Sequence, residues 1–202
     1  MPTNTTKLNP DTIDSPAMRS AGRELLSLAL MDARNQTLHL LGEYEKALAE
    51  VNFEVPCVRE LNPPLWELGH IGWFAEWWIA RNLQRHLGRR ADPSATRLAS
   101  IETGVDGWYN SSLVAHDTRW SLDLPGVDDI RRYLLDTLES NLEILEKASD
   151  EDDALYFHRL SLFHEDMHGE AWVYMAQTLG LPLKVAMPGP VPASAPLLVP
   201  AT

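Results

Sequence analysis

The sequence predicts an all-α fold, a four-helix bundle with one long crossover loop. Three observations carry that expectation. Four segments repeat apolar residues at helical spacing, each is bounded by helix start and stop residues, and no stretch alternates apolar with polar residues as a half-buried strand does. With 202 residues and 45% hydrophobic content, the chain suits one domain with a substantial core rather than a globally disordered chain.

Ser15 with Pro16 marks the first helix start, and the run LLSLALMDARNQTLHLLGEYEKAL carries that helix to about residue 50. Asn62 with Pro63 opens the second, NPPLWELGHIGWFAEWWIARN, expected to stop near Gly88. On it Trp66, His70, Trp73 or Phe74, and Trp77 recur on one face. The irregular stretch 89–126, with Gly104, Gly107, Trp108 and Tyr109, is the crossover; connections of this length are functional or carry short elements of their own. The third helix starts near Val127, after Leu124-Pro125-Gly126, and aligns Ile130, Leu134, Leu138, Leu142 and Leu145. The fourth runs from about Asp150 to Gly180, with Pro182 beyond it. Its opening acidic run, Asp150 to Asp153, complements the positive end of the helix dipole.

The ends differ from this middle. Residues 1–14 are polar, contain no apolar signal segment and are expected to be disordered. Residues 15–181 form the bundle, and 182–202 are rich in proline and read as a linker. Cys57, the lone cysteine, reads as a small apolar residue ahead of the second helix and allows no internal disulfide. No apolar run reaches the length of a membrane span, so no membrane role and a cytoplasmic location are expected. A net charge of -12, with the basic residues dispersed among acids, argues against nucleic acid as a partner.

The chemistry concentrates in His164-Glu165-Asp166-Met167-His168. Histidines at i and i+4 stand about 40° apart around a helix and can grip one metal ion. No Asp, Glu or His follows Glu170, so a third ligand must come from upstream. Among the five upstream histidines, His70 alone sits on a buried aromatic stripe, and the pair lies on the stripe of Phe157, Leu160, Ala171 and Met175. All three are therefore expected to point into one core. His86, beside Gly88, Arg89 and Arg90, suits a helix C-terminus; His39, His116 and His158 read as structural or solvent-facing.

Other readings share these residues. The string matches H-E-x-x-H, the zinc protease pattern with the glutamate as general base, but those enzymes draw their third ligand from downstream. Glu67-x-x-His70 and Glu165-x-x-His168 also form the two Glu-x-x-His units of a di-iron bundle, which needs a buried glutamate from each of two further helices. Glu24, Glu43, Glu139 and Glu143 are the candidates there, and none interrupts an apolar stripe. A histidine on an apolar face is also commonly a hydrogen-bonded core residue.

Three pieces carry a resemblance. LWELGHIGWFAEWW is similar to a W-x-L-G-H-x-x-W-F segment, Tyr109 to Ser112 read YNSS, and HEDMH stands where ergothioneine enzymes carry a histidine pair enclosing Glu-Gln-Gln. From about residue 18 to 182 the chain thus resembles the DinB-like helical domain at the N-terminus of the non-haem iron enzymes that make ergothioneine or selenoneine. The resemblance implies one Fe(II) held by His70, His164 and His168, with hercynine, dioxygen and a selenosugar or thiol donor as substrates. It implies donor binding by Arg119, in HDTRWSLDLP, where the family has two arginines. With Met167 in place of a glutamine, the chain looks closest to selenoneine synthases, which use a selenosugar.

Family members continue into a second domain resembling formylglycine-generating enzymes, which supplies a tyrosine and much of the substrate pocket. Residues 182–202 are accordingly expected to lead to such a C-terminal domain, absent here, and the bundle alone is expected to be inactive. Glu67 or Glu165 are candidate acceptors for imidazole N–H groups. The tryptophans near His70 are candidates for a trimethylammonium cage or, more simply, for core. Two rival classes remain: a stand-alone DinB-like metal-dependent thiol transferase, which needs no oxygen, and a purely structural bundle without metal.

Overall fold

The computed structural model describes Ile13 and residues 15–184. The expectations for the N-terminal segment and for most of the Pro-rich tail lie outside the described residues. Within them the fold is all-helical with no strand. The four long elements are α1 (Arg23–Ala47), α2 (Pro64–Ala75), α4 (Val127–Glu146) and α5 (Asp152–Leu179). A short α3 (Val105–Tyr109) lies inside the crossover.

The first helix is split where one continuous helix is expected. Ser15 Oγ accepts from the Ala17 N–H at 3.3 Å and caps a single 3-10 turn, Pro16–Ser20. The chain then restarts at Gly22, and the Arg23 N–H donates to Asp150 Oδ1 at 2.8 Å. The acidic run therefore does more than begin α5. Asp150 caps α1, Asp152 and Asp153 occupy the first turn of α5, and Asp153 also receives Arg90 at 2.8 Å.

The second helix ends earlier than its pattern predicts. Regular pairing stops at Ala75, a π-turn follows over Glu76–Ala80, and the chain leaves at Arg81. Asn82, fully buried, ends the helix by accepting from the Gln84 N–H at 3.0 Å and donating to the Trp78 carbonyl at 3.2 Å. His86 consequently lies in a separate 3-10 segment, Arg85–Arg90, rather than at the end of α2. That segment closes on α5 at Gly88, whose φ is 52° and where a Cβ would fall 2.6 Å from Asp153 Oδ1.

Three buried clusters run along the bundle. Leu40, Leu41, Tyr44, Leu68, Ile71, Leu134 and Trp172 join all four long helices. Leu26, Leu30, Leu145, Leu155 and Leu162 fill one end, with Leu138 and Leu142 of the predicted stripe only partly buried against them. Trp66, Trp73, Val105, Tyr109 and Tyr133 join α2 to the crossover. The crossover is tied down by indole N–H groups: Trp66 donates to the Trp108 carbonyl and Trp73 to Asp106, each at 2.7 Å. Arg81 clamps the same Asp106 through two bonds of 2.7 and 2.8 Å. Cys57 is exposed on the segment before α2, so its reading as a small apolar residue does not hold. No helix among the described residues is long and apolar enough to cross a membrane.

Candidate metal centre

His70 on α2 meets His164 and His168 on α5. The Nε2 atom of His164 lies 3.3 Å from that of His70 and 3.1 Å from that of His168. Each of the three offers a nitrogen within 4.8 Å of the others. His70 and His168 are 5% and 7% exposed, while His164 is partly open.

The outward-facing nitrogens settle the tautomers. His70 Nδ1 lies 2.7 Å from the Tyr109 carbonyl, which only accepts, so this nitrogen carries the proton. His168 Nδ1 donates in the same way to Glu67 Oε1 at 2.7 Å. In its neutral form each of these rings then presents its Nε2 lone pair toward His164. Burial, reinforced by the neighbouring histidines, pushes His70 down to about 4 and His164 down to about 2, so both imidazoles are neutral near pH 7.

A proton on His164 Nε2 can be donated to only one of these lone pairs at a time, whereas one cation at their centre would engage all three nitrogens. With nitrogen–metal bonds of about 2.0–2.1 Å, edges of 3.1 and 3.3 Å correspond to angles of roughly 95–110° at a common centre. The donor set thus fits one divalent first-row metal, and neutral imidazole is the form that binds. Aromatic rings wall the site: Phe74 stacks on His164 at 3.6 Å, and Trp66 on His70 at 4.8 Å.

The two candidate glutamates part company. Glu67, 1% exposed, accepts the hydrogen bond from His168 Nδ1–H and is held by Asn62 Nδ2 at 3.0 Å. Glu165 faces away from the histidines. Arg34 grips its carboxylate through Nε at 2.7 Å and Nη2 at 3.0 Å, and Thr37 donates at 2.9 Å. A general base so sequestered does not serve the protease pattern. The di-iron pattern loses the same carboxylate. Its remaining candidates do not replace it: Glu24, Glu139 and Glu143 are exposed, and Glu43 pairs with Lys46 at 2.6 Å.

Arg119 lies on a 3-10 turn of the crossover, His116–Ser121. Its guanidinium stands 3.7 Å over the Trp66 ring and donates to Asn62 Oδ1 at 2.7 Å; its Nε has no partner among the described residues. The tryptophan stripe is core rather than cage, since Arg119 and His70 pack on Trp66, and Arg81 and Arg97 pack on Trp77. Met167 is 52% exposed on α5, with Phe163 and Tyr174 also exposed. Three of the four remaining histidines have structural partners: His39 the Lys184 carbonyl, His116 that of Leu61, and the buried His158 the Asn141 side chain.

Tyr109 contributes a residue that side-chain reasoning misses, because it acts through its backbone carbonyl. Its signal is the glycine before His70: a Cβ at Gly69 would sit 2.0 Å from the Tyr109 ring, so only glycine lets the crossover approach.

A helical bundle whose facing helices aim three imidazoles at one point defines a class, bundles with a candidate metal centre in the core. A profile of the DinB superfamily matches residues 29–177, and the chain belongs to that superfamily. It is similar to the hercynine oxygenase of Mycolicibacterium thermoresistibile, 28% identical over 159 residues that cover 79% of this chain and 31% of the relative. It is also similar to the hercynine oxygenase of Mycolicibacterium smegmatis, 28% identical over 178 residues that cover 83% and 37%. The chain spans about a third of the length of the curated relatives it matches.

Proposed function

We propose that this chain is the Fe(II)-binding domain of an oxygen-dependent enzyme that joins selenium or sulfur to hercynine, with a selenosugar as the favoured donor. The observation that carries this is the convergence of His70, His164 and His168 Nε2 atoms with two tautomers fixed from outside. The alignment with proteins named hercynine oxygenase, across 79% and 83% of this chain, supports the choice of substrate.

His70, His164 and His168 would hold the iron, which when bound supplies the one-electron chemistry that dioxygen needs to react with closed-shell substrates. Three neutral ligands add no charge of their own, so the centre favours an anionic selenolate or thiolate. Glu67 and the Tyr109 carbonyl keep the ring protons of His168 and His70 outside and their lone pairs inside. Phe74 and Trp66 exclude water from the ring faces. With Arg119 engaged by Asn62 and Trp66, and Met167 apolar, a donor without carboxylates forfeits no ion pair. The electrons balance: joining a C–H carbon to a chalcogen–H releases two, oxygenating the chalcogen releases two more, and one dioxygen takes all four and leaves one water.

The protein loaded anaerobically should bind one iron per chain, and His164→Ala or His168→Ala should abolish stoichiometric binding. An unchanged metal ratio in either variant overturns the assignment. In the presence of hercynine and a selenosugar, the protein joined to a C-terminal domain resembling formylglycine-generating enzymes should consume oxygen. Thiol transfer without oxygen uptake would establish the thiol transferase instead.

A further inference from the structure

We propose that Asn62 and Arg119 are positioning residues for the metal centre: Arg119 holds Asn62, Asn62 holds Glu67, and Glu67 orients His168. The inference rests on the three-histidine site proposed above.

The contacts are continuous. Arg119 Nη1 donates to Asn62 Oδ1 at 2.7 Å, Asn62 Nδ2 donates to Glu67 Oε2 at 3.0 Å, and Glu67 Oε1 receives His168 Nδ1 at 2.7 Å. Each link has a fixed polarity. Arginine only donates, so it dictates which end of the Asn62 amide faces it and leaves the amide N–H for the carboxylate. The Asn62 backbone N–H points at Met175 Sδ on α5, 3.3 Å away, so this residue bridges the start of α2 to the helix that carries His168.

Arg119 also reaches the second ligand. Its guanidinium covers the Trp66 ring that stacks on His70, and Trp66 Nε1 holds the Trp108 carbonyl at 2.7 Å. The next carbonyl, of Tyr109, accepts the hydrogen bond from His70 Nδ1–H. One crossover side chain thus braces the outer partners of two ligands on different helices. Glu67 is buried, and a buried carboxylate needs hydrogen bonds to hold one orientation. Asn62 supplies the bond that the histidine does not.

Three roles for Arg119 predict different signs for metal affinity when it is replaced. As a clamp for a substrate carboxylate, its loss leaves affinity unchanged. As a bare cation near a dication, its loss tightens binding. As a positioning residue, its loss weakens binding. The test titrates metal-free protein with Co(II) against a chromophoric chelator, with far-UV circular dichroism as the check on folding. Glu67→Gln should lose roughly 10- to 100-fold in affinity, and Asn62→Leu and Arg119→Met roughly tenfold each.

Because Asn62 acts through Glu67, the Asn62→Leu/Glu67→Gln double variant should bind no more weakly than Glu67→Gln alone. The Co(II) ligand-field absorption should shift in Asn62→Leu as His168 turns. If Asn62→Leu fails to fold, Arg119→Met on the crossover carries the test by its sign. Unchanged or tighter binding in Arg119→Met, or additive losses in the double variant, overturns the proposal while leaving the three-histidine site standing. Co(II) binding by the unsubstituted protein that survives His164→Ala overturns the site itself and the positioning roles with it.

Discussion

Arg34→Leu is expected to destabilise the bundle severely, because it strands the carboxylate one residue beyond a proposed metal ligand. Arg34 and Glu165 are 4% and 3% exposed, so neither has water to fall back on. The guanidinium makes two bonds to Glu165, at 2.7 and 3.0 Å, and a further one to the Leu134 carbonyl on α4. Without it Glu165 keeps, among the described residues, the Thr37 hydroxyl at 2.9 Å. Removing one partner of such a buried pair costs about 3–5 kcal/mol. In a domain of this size each kcal/mol moves the melting temperature by about 2–4 °C, so calorimetry should register a fall of roughly 6–20 °C.

The double variant Arg34→Leu/Glu165→Met tests the cause. Replacing both charges with apolar groups removes the desolvation penalty along with the attraction, so most of the lost stability should return. The same double variant should retain stoichiometric metal, since Glu165 points to α1 and not to the histidines. A loss under about 1 kcal/mol in the single variant, or a double variant no more stable than the single, would refute the reasoning.

Two further outcomes follow from local geometry. Gly69→Ala, a change that in a helix interior usually gains about 0.5–1 kcal/mol, should instead cost about 1–3 kcal/mol, because the new Cβ lies 2.0 Å from the Tyr109 ring; it should also weaken metal binding as the Tyr109 carbonyl leaves His70, and a stabilised variant in urea unfolding would contradict this. Burial, with a smaller contribution from Arg85, pushes His158 down to about 4. The unfolded chain then takes up a proton near pH 6.5 that the folded chain refuses, so the stability is complete above that pH and is lost as pH falls toward 4. Metal-free protein should therefore lose stability more steeply than His158→Gln across pH 6 to 4.5, by about 1.4 kcal/mol per pH unit; parallel slopes would remove His158 from the account.

The long helices are legible in the sequence because the signals that make them are local. Apolar spacing puts Ile130, Leu134 and Leu145 on one buried face, and Gly180, at φ 69°, stops α5 where the punctuation places it. The end of α2 is a tertiary outcome. The run after Ala75 keeps a helical pattern, yet the buried Asn82 captures neighbouring backbone groups and turns the chain. Spacing alone does not register that competition. The crossover hides its contribution for a related reason: Tyr109 orients His70 through a carbonyl, and every residue has one.

The glutamates show most clearly where sequence runs out. Glu67 and Glu165 occupy the same position relative to a histidine, three residues before His70 and His168, and both are buried. Identical spacing nevertheless yields opposite roles. Glu67 does not serve the histidine of its own unit; it reaches from α2 to accept the hydrogen bond of His168 Nδ1–H on α5. Glu165 turns instead to Arg34 and Thr37 on α1. Residues three apart on a helix share a side of it, which brings each glutamate near the core but does not choose its neighbour. That choice belongs to the groups packed around each carboxylate: α1 offers a buried guanidinium to Glu165, whereas Asn62, just before α2, offers Glu67 an amide and so leaves it an oxygen for the imidazole. Placing arginine on α1 thus draws Glu165 away from the histidines, and it is this division of partners that separates the proposed three-histidine centre from the two patterns the same residues spell.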